Sequence, residues 1–223
     1  MRTTTPLILT IVLALLASTL LAGGCNYVGA AFVLASGPPK VQAVVELDDS
    51  RSHVIFIDDL NSVMPRRALR DVIGQQAEET LLRSETLEQQ KLIASSSARR
   101  AAAGDTIDAR LAAVDVARLV GAEVMVYVTM TGWTLEAEPG MVSPWASCEV
   151  RLLDAVGNQR IWPDGERTHP LVVQVPSNTT SALGTSIAER SQYEDLLARR
   201  VGDQLAKLFF THEREKLSEQ MRP

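Results

Sequence analysis

The residue with the most specific chemical context in this sequence is Cys25, which directly follows Ala22, Gly23 and Gly24. Small side chains at these positions fit the narrow cleft of a peptidase, and the thiol that follows them can accept a diacylglyceryl group. Acyl chains bind a bilayer at about 0.8 kcal/mol per buried methylene group, and several chains give stable attachment. The segment therefore predicts a cysteine that is lipidated after export.

The segment before Cys25 has the layout of an export signal. Arg2 supplies a positive charge, and the run from Leu7 to Leu21 contains no charged residue. A helix needs about 20 apolar residues to cross a bilayer, so this run is too short for a span but suits a signal peptide. The alternative is an ordinary signal peptide or membrane anchor in which Cys25 is incidental.

The stretch from Leu21 to Cys25 resembles the lipobox of bacterial lipoproteins, in which leucine or a similar residue, two small residues and cysteine follow one another. It departs from that pattern at Ala22, where leucine is commoner. The resemblance implies a signal peptide over 1–24, a palmitate or similar acyl anchor on Cys25, and a domain facing the periplasm. Asn26 is not the aspartate that marks inner-membrane retention in Gram-negative lipoproteins, so the resemblance favours the outer membrane.

Other residues that could perform catalysis or bind a metal form no recognisable motif. Asp58 and Asp59 follow a strand-like run, where open α/β sheets often bind ligands, but neighbouring residues on a strand point to opposite faces. We therefore interpret them as capping groups for the next helix. His53, His169 and His212 are scattered without the spacing of metal ligands. The sequence thus predicts no catalytic residue, no metal and no cofactor.

Cys148 and the tryptophans are candidates for contacts with other proteins or for packing in the core. If Cys25 is lipidated, Cys148 has no intramolecular disulfide partner, so we interpret it as a buried thiol, with an intermolecular disulfide as the alternative. Trp133, Trp145 and Trp162 lie around the central strands and their loop. Because tryptophan is enriched at interface hot spots, Trp133 and Trp145 are candidates for a partner surface, with packing in the core as the alternative.

Composition and charge narrow the range of partners. The chain is 46% hydrophobic and 22% charged, as in an ordinary globular protein, and its net charge is −5. A nucleic-acid-binding domain shows a basic face or stripe, and no basic run of that kind is present. We therefore predict no nucleic-acid partner.

Hydrophobic periodicity predicts one domain over 52–210. A lipidated cysteine and tether over 25–51 precede it, and a charged helical tail over 211–223 follows. The predicted order is strand, helix, strand, helix, strand, strand, strand, helix. These elements fall, in that order, at 53–57, 65–83, 91–94, 105–120, 123–131, 146–153, 159–162 and 189–217.

Two connections and one further strand complete the predicted topology. A loop is expected at 138–144, a hairpin turn at 154–158, and an edge strand at 171–175, where prolines bound the segment. Helical crossovers between the first three strands imply right-handed connections. The predicted fold is therefore α/β (α+β), with helices packed on a mixed sheet of about five strands.

Three segments resemble the periplasmic fold shared by the TolB amino-terminal domain, the curli-export lipoprotein family and the lipoprotein activators of penicillin-binding proteins. They are a strand with its helix at 54–82, a helix–Gly-Ala–strand step at 117–126, and a hairpin that ends in tryptophan at 150–162. The resemblance implies a TolB amino-terminal-domain-like fold. It also implies that the protein functions by binding other proteins in the cell envelope, in the assembly, export or activation of a partner.

We therefore expect a non-enzymatic envelope lipoprotein whose domain binds another envelope protein, with homo-oligomers left open. The lipid would confine the domain near a membrane and raise its effective concentration towards partners there. One alternative is a subunit of an envelope secretion pore, but 132–147 contains Glu136, Glu138, Pro139 and Pro144, which do not suit lipid-facing strands. Another is an envelope hydrolase whose site is not visible in the sequence.

Overall fold

A computed structural model of the chain describes residues 39–103, 111–138, 141–175 and 186–214. Cys25 and the predicted signal peptide lie outside the described residues. From Val41 onwards the chain forms one compact unit. Among the described helices, none combines the length and the apolar character that a membrane crossing requires.

The described residues contain the predicted strands, but two short helices lie between the strands predicted at 91–94 and 123–131, and the described part of the helix predicted at 105–120 begins only at Ala113. The strands are β1 (Lys40–Val41), β2 (His53–Asp58), β3 (Leu92–Ile93), β4 (Val124–Glu138), β5 (Met141–Asp154), β6 (Gln159–Trp162), β7 (His169–Gln174) and β8 (His212–Glu213). The helices are α1 (Leu69–Arg83), α2 (Ser95–Ala102), α3 (Ala113–Leu119) and α4 (Ile187–Ala206).

Six strands form one mixed sheet, which confirms the predicted fold class. Its order is β3-β2-β4-β5-β6, and β7 also pairs with β5. The strand β2 is parallel to β3 and β4, whereas β5 is antiparallel to β4, β6 and β7. The sheet has one strand more than the predicted five because the edge strand expected at 171–175 joins it as β7.

Helices cover the sheet on both faces, and the side chains of β2 alternate between two apolar cores. Ile55 and Ile57 face the larger core, which includes buried residues of α1 and α4. Val54 and Phe56 face the smaller core, which includes buried residues of α2 and α3. This alternation explains why β2 is apolar on both sides, as expected for a strand buried in the middle of a sheet.

The hairpin formed by β4 and β5 is longer than the sequence predicts. The predicted strands end at 131 and begin at 146, but pairing continues from Gly132 and Ser147 to Glu138 and Met141, through several register shifts. A proline cannot donate a ladder hydrogen bond, and Pro144 is accommodated where the pairing with β4 is irregular. The predicted loop at 138–144 is therefore wrong for most of its length.

The last helix is shorter than predicted. It ends at Ala206 instead of continuing towards 217, because Leu208 and Phe209 fold back into the larger core. The described residues of the predicted helical tail, 211–214, are not helical and include β8. The carbonyl oxygen of Leu208 accepts hydrogen bonds from the amides of Val44 and Val45. Val44 and Val45, which lie in the predicted tether, are thereby attached to the segment just after α4 and belong to the domain.

Candidate partner-binding surface

The strands β5 and β7 have one buried side and one side towards solvent. Ala146, Cys148 and Val150 on β5 and Val173 on β7 lie in the larger core. Successive residues of a strand point to opposite faces, so the residues that alternate with these buried ones form the other face of the two strands. We refer to seven of these residues as the outer face: Trp145, Ser147, Glu149, Arg151, Pro170, Val172 and Gln174.

Arg151 is the most unusual residue of the outer face. Its guanidinium carbon lies 4.9 Å from the ring centroid of Tyr127, the residue opposite it on β4, which is the geometry of a cation–π contact. Arg151 is half-buried, and its Nε is buried without a hydrogen-bond partner in the described part of the chain. No ion pair between described residues involves it.

A polar row continues from Arg151 across the sheet towards β2. The hydroxyl of Tyr127 donates a 2.6 Å hydrogen bond to Oδ2 of Asp58, and both residues are buried. Burial, followed by this hydrogen bond to a carboxylate, raises the pKa of Tyr127 to about 12. The phenol therefore remains protonated at neutral pH and holds the ring in place beneath Arg151.

The apolar part of the outer face consists of Val172 and Trp145. Val172 is 63% exposed, although it is an aliphatic side chain in the middle of a strand. The half-buried indole of Trp145 lies against Gly132, because a Cβ atom at Gly132 would be 2.9 Å from Cη2 of Trp145. A glycine at this position of β4 lets the indole approach the backbone closely.

The structure does not bring Trp133 and Trp145 together on one surface. Trp133 is paired with Ala146, the neighbour of Trp145 in the strand, so the two indoles point to opposite faces of the sheet. Trp133 packs against the larger core, as does Trp162, which is also in ring contact with His169. Of the two tryptophans predicted for a partner surface, only Trp145 lies on the outer face.

Asp58, the last residue of β2, and Asp59, which follows it, have separate roles and do not converge. The interpretation of both as caps of the next helix is wrong, because the N-cap of α1 is Ala68 and no side chain caps it. The carboxylate of Asp59 accepts hydrogen bonds from the amides of Val63, at 2.8 Å, and Met64, at 3.1 Å, in the turn before α1. Asp58 instead faces Tyr127. Within the described ranges, no three His, Cys, Asp or Glu side chains are grouped so that they could hold a metal ion.

No protein-family model and no curated protein matches the chain. Among solved structures, the chain is similar to the PelC dodecamer from Paraburkholderia phytofirmans, with 10% identity, a TM-score of 0.42, and coverage of 76% of this chain and 94% of that one. It is also similar to lipoprotein GNA1162 from Neisseria meningitidis, with 15% identity, a TM-score of 0.38, and coverage of 70% and 98%.

The LpoB C-terminal domain from Salmonella enterica is a further similar structure, with 16% identity, a TM-score of 0.32, and coverage of 65% of this chain and 90% of that one. The solved structures similar to this chain thus include a bacterial lipoprotein.

Cys148 is expected to react very slowly with thiol reagents in the folded protein. Its side chain is 2% exposed, and burial raises its pKa to about 12, so the reactive thiolate is scarce. In a Cys25→Ala variant, where Cys148 is the remaining cysteine, labelling should be about a hundredfold slower in buffer than in denaturant. Rapid labelling in buffer, or a disulfide-linked dimer on a non-reducing gel, would contradict the buried position.

His53 is expected to make the protein less stable in mild acid. The residue is 1% exposed, and burial lowers its pKa below the value of about 6.5 that it has in an unfolded chain. The unfolded chain therefore binds this proton more readily, and stability is lost as the pH falls below about 6.5, at no more than about 1.4 kcal/mol per pH unit.

Urea unfolding at pH 7.5 and pH 5.5 tests the role of His53. The decrease in the free energy of unfolding should be smaller in a His53→Gln variant than in the wild type. His212→Gln serves as the control, because His212 lies outside both apolar cores. An equal decrease in wild type and His53→Gln would assign the acid sensitivity to other groups.

Proposed function

We propose that this chain is a lipoprotein of the bacterial cell envelope, anchored through lipid on Cys25, whose domain binds another envelope protein and catalyses no reaction. The observation that carries the proposal is the position of Cys25, after small residues and an uncharged apolar run and shortly before a folded domain. About 16 residues separate Cys25 from Val41, which limits the reach of the tether to about 55 Å.

A binding role is supported by how the polar residues are used. The carboxylates that the sequence offers for acid–base chemistry have structural partners: Asp58 accepts from Tyr127, and Asp59 holds a turn. His53 is enclosed in the protein, and His169 is in ring contact with Trp162. The outer face, in contrast, presents half-buried Arg151 and Trp145, two residue types enriched at interface hot spots, beside the exposed side chain of Val172.

The location that we propose is the periplasmic side of a membrane, with the outer membrane favoured over the inner. Support for the choice of membrane comes from Asn26, which follows the lipidated cysteine in place of the aspartate that marks retention. Anchoring would confine the outer face to a thin layer above the lipid, where a modest affinity is sufficient for partner binding.

Metabolic labelling with an alkyne analogue of palmitate tests the anchor. The full chain should incorporate the label and sediment with membranes, whereas a Cys25→Ser variant should lose both properties. Cys148→Ala is the matched control, because it removes the other cysteine and should retain the label. The proposal fails if label remains in Cys25→Ser, or if the wild type is found unlabelled and uncleaved in the cytosol.

A further inference from the structure

Arg151 combines several properties that seldom occur together in an arginine of a folded domain. It is half-buried, its guanidinium is held over the ring of Tyr127, and no described carboxylate forms an ion pair with it. Stacking restricts the side chain, so it would lose less conformational freedom on binding than a mobile surface arginine. A guanidinium donates through a planar fork that matches a carboxylate in two parallel hydrogen bonds.

The nearby acidic residues leave this donor available. Asp58 is engaged with the hydroxyl of Tyr127 and has further interactions of its own. Glu149 lies two positions from Arg151 on the same face, and the pair forms no salt bridge in the structure. Among the residues that the structure describes, no carboxylate is therefore paired with the positive charge of Arg151.

Apolar side chains complete the surface along the same two strands. Val172 lies beside Ser147, four positions along β5 from Arg151, and Trp145 lies two positions further on. At about 3.3 Å per residue, the distance along β5 from Arg151 to Trp145 is about 20 Å. This length fits a short segment of a protein partner and exceeds what a single small ion would need.

We propose that Arg151 is the charged centre of a docking surface on the outer face, where it pairs with a carboxylate of a different envelope protein whose apolar side chains pack on Val172 and Trp145. This inference rests on the proposed binding function and specifies the surface and the chemistry of its partner. Aromatic residues and arginine are the side chains most enriched at interface hot spots, and both are present here.

Photocrosslinking of the full chain in living cells tests the surface. One variant carries benzoylphenylalanine in place of Val172. A second variant, for comparison, carries it in place of Ile187, which is 89% exposed at the start of α4. The Val172 variant should crosslink to another envelope protein, and Arg151→Gln should reduce the yield by about tenfold or more, the effect of losing a charged hydrogen-bonded pair. Arg199→Gln, which removes an exposed arginine of α4, should leave the yield unchanged.

The partner's contribution is tested on the crosslinked segment, which mass spectrometry identifies. It should contain an aspartate or glutamate, whose replacement by the corresponding amide lowers the yield as much as Arg151→Gln does. An Arg151→Glu variant should recover crosslinking when the partner's acidic residue is replaced by arginine. Because the amide replacement does not alter this chain, it remains decisive even if Arg151→Gln weakens the fold.

Where Val172 does give a crosslinked product, three results would overturn the docking surface. The first is a yield that does not depend on Arg151, the second is a crosslinked segment without a carboxylate, and the third is crosslinking only to a second copy of this chain. If Val172 gives no product while the Ile187 position crosslinks to a protein, the binding function stands and its location on the outer face is wrong. If benzoylphenylalanine gives no protein product at any exposed position, both proposals fail.

Discussion

A Gly202→Ala variant is expected to lose about 2 kcal/mol of unfolding free energy, although alanine is the better helix former by about 1 kcal/mol. Gly202 lies where α4 crosses α1. A Cβ atom at this position would lie 2.5 Å from the carbonyl oxygen of Ile73 and 2.8 Å from Cβ of Gln76. Because a carbonyl oxygen cannot rotate away as a side chain does, the two helices would have to separate and loosen the larger core.

Urea unfolding followed by circular dichroism measures the effect of the added methyl group. Gly202→Val should be more destabilised than Gly202→Ala, since its branched side chain adds volume at the same contact. Arg199→Ala, three residues earlier on the exposed side of α4, is the control and should change the free energy by no more than about 0.5 kcal/mol. A Gly202→Ala variant as stable as the wild type would disprove the close helix crossing.

Hydrophobic patterns predict the strands and helices whose buried residues recur at regular spacing along the sequence. The run from His53 to Ile57 is β2, and the spacing of apolar residues after Pro65 predicts α1, although the helix begins at Leu69. The turn predicted at 154–158 joins β5 to β6, and the carboxylate of Asp154 accepts hydrogen bonds from the amides of Val156 and Gly157. Each of these features depends on local periodicity or local turn chemistry, which a sequence records directly.

Features that depend on distant contacts were predicted poorly. The sequence does not show that Val142 and Leu135 are buried, because glutamates and prolines surround them in a stretch typical of a loop. The charged sequence after Ala206 likewise predicts a helix that continues to 217. In the structure α4 ends at Ala206, because Phe209 is buried in the larger core. In both cases the packing of a few apolar residues outweighs the average polarity of the segment.

The sequence singles out Trp145 as a candidate for a partner surface, and the structure places it on the outer face. Trp133, the other candidate, lies on the opposite face, because one additional residue in β4 next to Gly132 shifts the register of the hairpin. Arg151 was not predicted. Its alternation with buried Val150 and Leu152 indicates a solvent-facing strand position, but its contact with Tyr127 depends on the register between β4 and β5.

Removing the Arg66 side chain is expected to destabilise the domain by about 3 kcal/mol, near the lower end of the range for breaking a buried ion pair. Nε of Arg66 donates to Oε2 of Glu194 at 2.5 Å, and a terminal nitrogen of the same side chain donates to Oδ1 of Asp195 at 2.8 Å. Glu194 is 5% exposed on α4, so losing its partner would leave a buried charge without compensation. Arg66 itself is 38% exposed in its side chain, which places the effect at the lower end.

A comparison of one single variant with one double variant separates the loss of charge pairing from the loss of packing. Arg66→Met keeps the length of the side chain but leaves Glu194 charged, whereas the double variant Arg66→Met, Glu194→Gln removes both charges. The double variant should therefore be more stable than Arg66→Met alone, because a neutral amide costs less to bury than an unpaired carboxylate. Arg67→Met is the matched control on the exposed neighbouring residue and should have little effect. If the double variant is the less stable of the two, Arg66 holds α4 by packing, and the buried charge of Glu194 does not limit stability.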